Sequence, residues 1–249
     1  MEYFLTGGTG FIGRFLVGKL LARGGTVHLL VREQSKYKLD AIRENWGVDE
    51  TRLKAVVGDL TSDNLGIDAK TLEALTGKVD HFFHLAAVYD MSADEEAQQA
   101  TNIDGTRAAI NTADIMGAKH FHHVSSIAAA GLFKGIFRED MFEEAGKLDH
   151  PYLMTKHESE KVVREECKIA YRIYRPGMVI GHSETGVMDK IDGPYYFFKM
   201  IQKIRRSLPQ WFPTIGIEGG RLNIVPVDYI VNAMDHIAHA DGEDGKCFH

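Results

Sequence analysis

Two side chains in the stretch HPYLMTKHESE could carry acid–base chemistry. Tyr152 and Lys156 are four positions apart and Pro151 suits the first turn of a helix, so one helical face is predicted to carry both. A phenol has an ordinary pKa of about 10, and a neighbouring ammonium group favours the phenolate. The spacing therefore predicts a phenol of lowered pKa that exchanges a proton with a substrate. Taken alone, the same spacing is also typical of a surface pair.

A hydroxyl group that could polarise a carbonyl lies in the stretch HHVSSIAAAG. Ser125 and Ser126 come where an apolar strand meets a loop. Ligands bind at that edge of open α/β sheets, and a hydroxyl there can hydrogen-bond a carbonyl oxygen. We expect Ser126 to face the substrate, because the small residues after it turn away into a loop. The alternative is that both serines only cap the loop.

A glycine cluster opens the chain in YFLTGGTGFIGRFL. Gly7, Gly10 and Gly13 satisfy the pattern GxxGxxG. Gly8, Gly10 and Gly13 satisfy the second pattern, GxGxxG. The cluster follows a predicted strand and opens a predicted helix, where glycine lets the backbone approach a pyrophosphate at the helix N-terminus. The sequence therefore predicts a dinucleotide site here rather than an ordinary βα turn.

The end of the second predicted strand favours NADPH over NADH. The strand TVHLLV is followed by Arg32, with Lys36 and Lys38 just beyond. A guanidinium group suits the 2′-phosphate of NADPH, whereas an acid such as Glu33, one position later, would suit the ribose of NAD. Asp59, in the GDL that ends the third strand, could accept from the adenine amino group or simply cap a turn.

The elements that must position these residues alternate between strands and helices. Strands are predicted at EYFLT, TVHLLV, LKAVVGDL, DHFFHLAA, KHFHHVSS and AYRIYRPG. Helices are predicted at GFIGRFLVGKLLARG and over residues 35–46, 94–116 and 151–167. This alternation predicts an α/β fold of the Rossmann type, a doubly wound parallel sheet covered on both faces.

The pattern changes after Gly181. We expect residues 1–181 to form an NADP-binding Rossmann domain and residues 182–249 a small, truncated substrate-binding lobe. Within this lobe, the strand and helix over 222–240 should return to the Rossmann core. The terminal GKCFH begins another strand, which predicts that the chain is a fragment. An aromatic group either lines an apolar substrate cleft or forms the core of the lobe: Tyr195, Tyr196, Phe197, Phe198, Trp211 and Phe212.

Composition excludes several classes of function. The 249 residues carry a net charge of -6 with both signs interspersed, which gives no footprint for nucleic acid. No apolar run approaches the roughly 20 residues that span a bilayer, and no signal peptide is predicted. Cys167 and Cys247 form no CxxC pair, which predicts a cytoplasmic location, and neither is placed as a nucleophile. The strands HFFH and HFHH lack completing ligands, so no metal site is predicted.

Together these motifs resemble the extended short-chain dehydrogenase/reductase superfamily. TGGTGFIG, GDL, HLAA, TNIDGT, VSS, YLMTK and YRPGMVIG occur in the superfamily's order. The resemblance implies a catalytic trio of Ser126, Tyr152 and Lys156, with Tyr152 as proton donor and Lys156 also holding the nicotinamide ribose. It implies that Asn102 is structural or relays protons. The predicted cofactor-binding residues are Gly7, Thr9, Gly10, Phe11, Ile12, Gly13, Arg32, Asp59, Leu60, Ala86, Ala87, Lys156, Pro176, Gly177, Met178 and Val179.

Three longer stretches narrow the resemblance. The stretches LLVREQSKYKL, GLFKGIFREDMFEE and RPGMVIGHSETG, the last followed by DGPYYFFKMIQ, are similar to the N-terminal reductase domain of bacterial alcohol-forming fatty acyl-coenzyme A reductases. This similarity implies NADPH-dependent reduction of a long-chain fatty aldehyde, and of acyl-coenzyme A as a further substrate, to a fatty alcohol by direct hydride transfer. It also implies a second reductase domain downstream, and a homo-oligomer is compatible with it. Within GLFKGIF, Gly131 and Gly135 could be the pivots of a mobile lid, or the stretch could be an ordinary surface loop.

Three alternatives remain open. A sugar-nucleotide epimerase or dehydratase shares the fold, but a dehydratase needs an acidic pair where Ile127 and Ala128 follow the candidate hydroxyl. A ketone reductase of the dihydroflavonol or hydroxysteroid type would differ only in the shape of its pocket. A non-catalytic NADPH-binding protein would typically lack the tyrosine or the lysine.

Overall fold

The computed structural model describes residues 1–87, 94–188, 194–207 and 222–249. The strands within these ranges are β1 (Glu2–Thr6), β2 (Thr26–Val31), β3 (Leu53–Val57), β4 (His81–His84), β5 (His120–Val124), β6 (Ala170–Tyr174), β7 (Met178–Ile180), β8 (Ile224–Pro226) and β9 (Cys247–Phe248). In the described residues, seven strands form a parallel sheet in the order β3-β2-β1-β4-β5-β6-β9, and β7 pairs with β8 separately. The predicted Rossmann-type α/β fold is confirmed.

Helices follow most of these strands. In the same ranges they are α1 (Phe11–Ala22), α2 (Tyr37–Trp46), α3 (Ala69–Leu75), α4 (Glu95–Gln99), α5 (Gly105–Ile115), α6 (Pro151–Glu166), α7 (Pro194–Ser207) and α8 (Val227–His239). The helix predicted over 94–116 is divided, because a π-helical turn at Ala100–Asp104 separates α4 from α5. The sequence patterns did not predict α3, in which only Leu72 and Leu75 are buried.

The core lies on both faces of the sheet. In β1, Phe4 belongs to one apolar cluster together with Phe82 and Phe121 of the neighbouring strands. Leu5 belongs to the other cluster, with Phe83 of β4 and residues of α1 and α8. Successive side chains of a strand point to opposite faces, so a strand that is buried on both faces must be continuously apolar. This is why EYFLT lacks polar alternation.

The strand order creates the crevice in which the candidate residues lie. Chain order reverses between β1 and β4, so the loops that follow these two strands diverge at the carboxyl edge of the sheet. Ligands of open α/β sheets bind at such a switch point. The ends of β5 and β6 are next along the same edge. The fold therefore places the glycine cluster, Ser126 and Pro176 along one crevice.

The last described segment returns to the main sheet. α8 packs against α1, and β9 pairs with β6 through Cys247 opposite Ile173. Within the described ranges, no helix combines the length and the apolar character that crossing a bilayer requires.

Candidate active site

Helix α6 carries Tyr152 and Lys156. It begins at Pro151, whose fixed φ suits the first helical position, and His150 Nδ1 accepts a hydrogen bond from the Tyr152 N–H at 3.1 Å. The cap fixes where the helix starts, and the helical repeat then places Lys156 one turn after Tyr152. The predicted spacing is present in the structure.

Ser126 lies at the end of β5 and contacts the phenol. Its backbone is extended, and its Oγ accepts a hydrogen bond from the Ala128 N–H at 3.1 Å, which caps the 3-10 turn Ile127–Ala130. The Ser126 side chain also lies close enough to the Tyr152 side chain to lower the pKa of the phenol by hydrogen bonding. The Ser126 hydroxyl therefore caps the loop, as in the alternative given for both serines, and also contacts Tyr152, the candidate proton donor.

The two neighbouring serines have different surroundings. Ser125 is buried, and its Oγ donates to Glu160 Oε2 on α6 at 2.8 Å. Ser126 is half-buried and is directed to Tyr152. Of the two serines, Ser126 is thus the one beside Tyr152, and its role toward a substrate stays a prediction.

The electrostatics of the pair differ from the expectation. Burial raises the pKa of the Tyr152 phenol above its ordinary value, and the hydrogen bond with Ser126 offsets only part of this rise. Burial also lowers the pKa of Lys156 to about 8, while the Glu160 carboxylate one turn away opposes the shift. The net shift of the Tyr152 pKa is therefore upward, not downward as the spacing predicted, because desolvation outweighs the effects that favour the phenolate. A protonated phenol is the form that a proton donor needs.

Lys156 and Asn102 connect α6 to its neighbours. Lys156 Nζ lies 3.4 Å from the Val124 carbonyl oxygen at the end of β5. Asn102, in the π-helical turn, is buried and donates from Nδ2 to Thr155 Oγ1 at 3.2 Å. This contact brings Asn102 to the residue that precedes Lys156. Its structural or relay role stays a prediction.

The glycine cluster forms a tight turn between β1 and α1. Gly7 has φ +73°, and a Cβ atom added there would lie 2.6 Å from the Ala86 nitrogen. A Cβ at Gly13 would lie 2.3 Å from the Gly7 carbonyl oxygen. Gly10 is the residue that precedes α1, and its N–H donates to the Gly7 carbonyl at 3.0 Å. The close packing thus depends on Gly7 and Gly13, the ends of the GxxGxxG register.

A cavity of about 210 Å³ continues from the glycine turn. Its lining residues are Gly7, Thr9, Leu30, Val31, Arg32, Ser35, Gly58, Asp59, Leu60 and Ala86. Arg32 Nε lies 3.3 Å from Asp59 Oδ2, and both side chains are partly exposed. A hydrogen bond from the Thr61 hydroxyl is the largest of the effects that hold the pKa of Asp59 below its ordinary value. Asp59 therefore organises its own turn as well as lining the cavity.

Sequence reasoning missed Ser35 in this cavity. It ends a short 3-10 turn, Glu33–Ser35, and its N–H donates to the Arg32 carbonyl oxygen at 2.8 Å. The sequence signal for Ser35 is a polar residue within REQSK directly after the strand. The prediction for this stretch rested on its basic residues instead. The turn folds Ser35 back beside Arg32, which linear spacing does not show.

The other predicted cofactor residues border the crevice to different degrees. Phe11 and Ile12 are half-buried in the first turn of α1, and Ala87 is half-buried after β4. The Pro176 carbonyl oxygen accepts from the Ile127 N–H at 3.1 Å, so the end of β6 adjoins the Ser126 loop. The predicted residues that follow are Gly177, which leaves room for the Asn223 carbonyl, and Met178 and Val179, which begin β7.

Most of the predicted aromatic cleft falls outside what the structure describes. Trp211 and Phe212 lie outside the described residues, as do the side chains of Tyr196, Phe197 and Phe198. The hydroxyl of Tyr195 accepts a hydrogen bond from the Gly181 N–H at 2.8 Å. Both alternatives for this aromatic group therefore stay predictions.

The stretch GLFKGIF is attached at its first glycine. The Leu132 N–H donates to the Lys147 carbonyl at 3.0 Å, and the Gly146 N–H donates to the Ala130 carbonyl at 2.9 Å. These bonds flank Gly131 on both sides. Leu132 and Ile136 are exposed beyond it. Both alternatives for the stretch, a mobile lid or an ordinary surface loop, stay predictions.

The strand histidines pack on one another. His81 Nδ1 lies 2.9 Å from His122 Nε2, and burial lowers the pKa of His81 to about 3. Burial likewise lowers the pKa of His84 to about 3. Across the part of the chain that the structure describes, no group of three or more histidine, cysteine or acidic residues is arranged to hold a metal ion.

Comparisons with known proteins bear on the family of this chain. A family model of NAD-binding proteins described as "Male sterility protein" matches residues 5–234. The non-canonical nonribosomal peptide synthetase FrzA of a Cladobotryum species is 30% identical over 99% of this chain and 25% of its own length. The aldehyde reductase lnbA of Aspergillus flavus is 28% identical over 99% of this chain and 26% of its own length. The chain thus spans about a quarter of the length of these curated relatives.

A solved structure gives the same fold. The crystal structure of the terminal R domain from the myxalamid PKS-NRPS biosynthetic pathway superposes with a TM-score of 0.83 and 27% sequence identity. The match covers 99% of this chain and 64% of that domain.

Proposed function

Because the chain belongs to the NAD-binding family described as "Male sterility protein", we propose that it is an NADPH-dependent reductase that converts a long-chain fatty aldehyde to the alcohol. The observation that carries the proposal is the contact of Ser126 with Tyr152 at the crevice, one helical turn from Lys156. Ser126, Tyr152 and Lys156 are the residues to which we assign catalytic roles.

The residues of the crevice fit a dinucleotide. A pyrophosphate needs close approach to the backbone, and the turn at Gly7, Gly10 and Gly13 presents the N-terminus of α1 with no acidic residue in its first turn. The adjacent cavity would take the adenosine half, with Arg32 toward the 2′-phosphate and Asp59 near the adenine. Lys156 and the segment from Pro176 to Val179 would border the nicotinamide half. When bound, NADPH supplies the hydride.

The protein's own groups act on the carbonyl oxygen. Ser126 donates a hydrogen bond that polarises the carbonyl and then holds the developing alkoxide. Tyr152, whose phenol is protonated at neutral pH because burial raises its pKa, gives its proton to that oxygen. The Lys156 ammonium stabilises the phenolate that remains until it is reprotonated.

The preference for NADPH rests on Arg32. Its guanidinium lies at the cavity and, among the residues that the structure describes, forms an ion pair with Asp59 alone, at 3.3 Å; both groups are partly exposed. An exposed pair of this kind is weak, so a 2′-phosphate can compete for the guanidinium. Glu33, the acid that would favour NAD, pairs instead with Lys36 at 2.9 Å.

The aldehyde class is supported by the similarity to lnbA and by the sequence resemblance to fatty acyl reductases. A second candidate is the reduction of an acyl thioester, which the similarity to FrzA and to a terminal R domain favours. Neither cysteine suits covalent capture of an acyl group, because burial raises the pKa of the half-buried Cys167 to about 11 and that of the buried Cys247 to about 12. Either reduction would therefore proceed by direct hydride delivery.

The two candidates separate in one assay. The purified protein is mixed with decanal, palmitoyl-coenzyme A, or a steroid or flavonoid ketone, together with either NADPH or NADH, and absorbance at 340 nm is followed. We expect turnover of decanal with NADPH. Turnover of the thioester alone would replace the aldehyde proposal with the second candidate, and turnover of a steroid or flavonoid ketone alone would replace both. NADPH binding without turnover of any carbonyl would leave a non-catalytic binder.

A further inference from the structure

A buried carboxylate lies directly behind the proposed catalytic residues. The side chain of Glu160, on α6, is wholly buried, and both of its oxygens accept hydrogen bonds. Ser125 Oγ donates to it at 2.8 Å, and Arg175 donates through Nε at 2.9 Å and Nη2 at 2.6 Å. Arg164 donates through Nε at 2.9 Å and Nη2 at 2.8 Å. A buried charge persists only when it is paired and hydrogen-bonded, so this cluster has one defined arrangement.

The partners of Glu160 come from the elements that border the crevice. Ser125 ends β5 and directly precedes Ser126. Arg175 follows β6 and directly precedes Pro176, whose carbonyl oxygen accepts from the N–H of the Ser126 loop. One carboxylate therefore joins the helix of Tyr152 and Lys156 to both strand ends that face it.

Arg175 also binds two segments that lie outside the pair of strand ends and α6. Its Nη2 donates to the Met141 carbonyl oxygen at 3.0 Å, and its backbone N–H donates to the Phe248 carbonyl oxygen at 2.7 Å. The guanidinium also lies over the Phe137 ring, 5.1 Å from its centre. Arg175 thus contacts both the loop before α6, through its guanidinium, and strand β9, through its backbone N–H.

We propose that Glu160 is a positioning residue of the active site, whose carboxylate holds the end of β5 against α6 and so keeps Ser126 in contact with Tyr152. The inference rests on the proposed function and deepens it. Glu160 acts through Ser125 and does not reach the crevice itself. A hydroxyl that must meet both a phenol and a substrate oxygen tolerates little displacement, because a shift of about 1 Å can cost on the order of 100-fold in rate.

The charge of Glu160 supports the same role. Burial acts to raise the pKa of Glu160, but Arg175, Arg164 and Ser125 together outweigh it and hold that pKa below its ordinary value. The anion in turn favours the ammonium form of Lys156. The other titratable groups that interact with this lysine are His84 on β4 and His123 on β5; burial is the largest cause that lowers the pKa of each, the charge of Lys156 lowers it further, and both imidazoles are therefore neutral.

Two matched serine variants test the connection. Ser125→Ala removes the hydroxyl that joins β5 to Glu160. Ser159→Ala removes an equally buried hydroxyl on α6 that donates only within its own helix, to the Lys156 carbonyl at 3.0 Å. We expect Ser125→Ala to lower kcat for decanal about tenfold with KM little changed, and Ser159→Ala to stay within about twofold of the unmodified protein. Equal kcat in the two variants would overturn the inference and leave the proposed function intact.

Amide hydrogen exchange gives a readout that does not need turnover. The Ala128 N–H donates to Ser126 Oγ and the Ile127 N–H donates to Pro176, so both report the position of the loop after β5. Both amides should exchange faster in Ser125→Ala than in Ser159→Ala. Unmodified protein that turns over no carbonyl overturns the proposed function, and the exchange rates then decide by themselves whether the Ser125 bond holds the loop.

A third variant separates charge from shape. In Glu160→Gln the amide can still accept from Ser125, but the anion that favours protonated Lys156 is lost. The alkaline limb of the profile of kcat/KM against pH should therefore move to lower pH, whereas Ser125→Ala should leave it in place. An unmoved limb in folded Glu160→Gln would contradict the electrostatic part of the role. If burial of an unpaired Arg175 prevents this variant from folding, the serine pair still decides the inference.

Discussion

The Nζ atom of Lys156 lies 3.4 Å from the carbonyl oxygen of Val124. This contact joins the helix that carries the candidate proton donor to the strand whose end carries Ser126. Because the lysine is buried, its charge acts within the site rather than being screened by water. The role of each residue at the crevice can therefore be tested with a single substitution.

Tyr152→Phe removes only the phenolic oxygen. We expect kcat for decanal to fall by about 10²- to 10⁴-fold, the usual size of a general acid contribution, while the Kd for NADPH changes by less than about twofold. Steady-state kinetics and fluorescence titration of NADPH measure the two quantities. Tyr37→Phe, at an exposed tyrosine on α2, is the control. Undiminished turnover in Tyr152→Phe would remove Tyr152 from the mechanism.

The pKa of Lys156, about 8, predicts the pH dependence of activity. Below pH 8 the ammonium group is present and stabilises the phenolate that proton donation leaves. Above pH 8 the lysine is neutral, so kcat/KM should fall as pH rises through this value. Lys156→Met should have low activity, and its kcat/KM should not show this fall at alkaline pH. Lys161→Met, on the same helix, should still show it. If kcat/KM of Lys156→Met still fell as pH rises through 8, the titration of another group would cause the fall.

Arg32→Ser should change the choice of cofactor. The substitution removes the guanidinium at the cavity edge, so the KM for NADPH should rise about tenfold or more, the equivalent of one charged hydrogen bond. The KM for NADH should change little, because NADH has no 2′-phosphate. Arg107→Ser, at an exposed arginine that is paired with Asp104 and Glu166, is the control. An equal change in KM for NADPH and for NADH would mean that the 2′-phosphate does not bind at Arg32.

Two glycine substitutions should separate folding from binding. In Gly13→Ala the new Cβ would lie 2.3 Å from the Gly7 carbonyl oxygen, so backbone must move and stability should fall by about 1–3 kcal/mol. In Gly10→Ala the nearest atom is the same oxygen at 3.2 Å, which requires only a small adjustment. Gly10→Ala should therefore unfold near the temperature of the unmodified protein but bind NADPH more weakly. Thermal unfolding and NADPH titration compare the two.

Buried histidines predict that acid destabilises the protein. The pKa of His81 and of His84 is about 3 in the folded chain but 6.5 ordinarily, so the unfolded chain binds more protons between these values. Stability is therefore complete above pH 6.5 and falls as pH decreases, by about 1.4 kcal/mol per pH unit for each such group. Urea unfolding at pH 7 and pH 5 measures the loss.

His123 offers a direct test of that account. Neither of its ring nitrogens has a hydrogen-bond partner among the described residues, and burial holds its pKa well below the ordinary value. His123→Phe should reduce the dependence of stability on pH by about 1.4 kcal/mol per unit. His236→Gln, at an exposed histidine, should leave the dependence unchanged. An unchanged slope in His123→Phe would mean that other groups cause the acid effect.

Local patterns in the sequence determined the elements and several of the site's residues. A strand, a glycine turn and a helix in immediate succession are dictated by backbone sterics, so β1, the turn at Gly7 and α1 follow from a short stretch. The spacing of Tyr152 and Lys156 follows in the same way from the helical repeat. A short helix such as α3, with two buried leucines, has too little periodicity to be predicted.

Only the tertiary structure decided how those residues act on one another. Which serine faces Tyr152, and which is held by Glu160, depends on how β5 packs against α6. The direction of the Tyr152 pKa shift depends on burial, which distant segments create together. Arg175 meets Glu160 because β6 lies beside β5 in the sheet, and strand order has no local signature. Spacing along the chain encodes local geometry, whereas desolvation and long-range pairing arise only once separate segments have packed together.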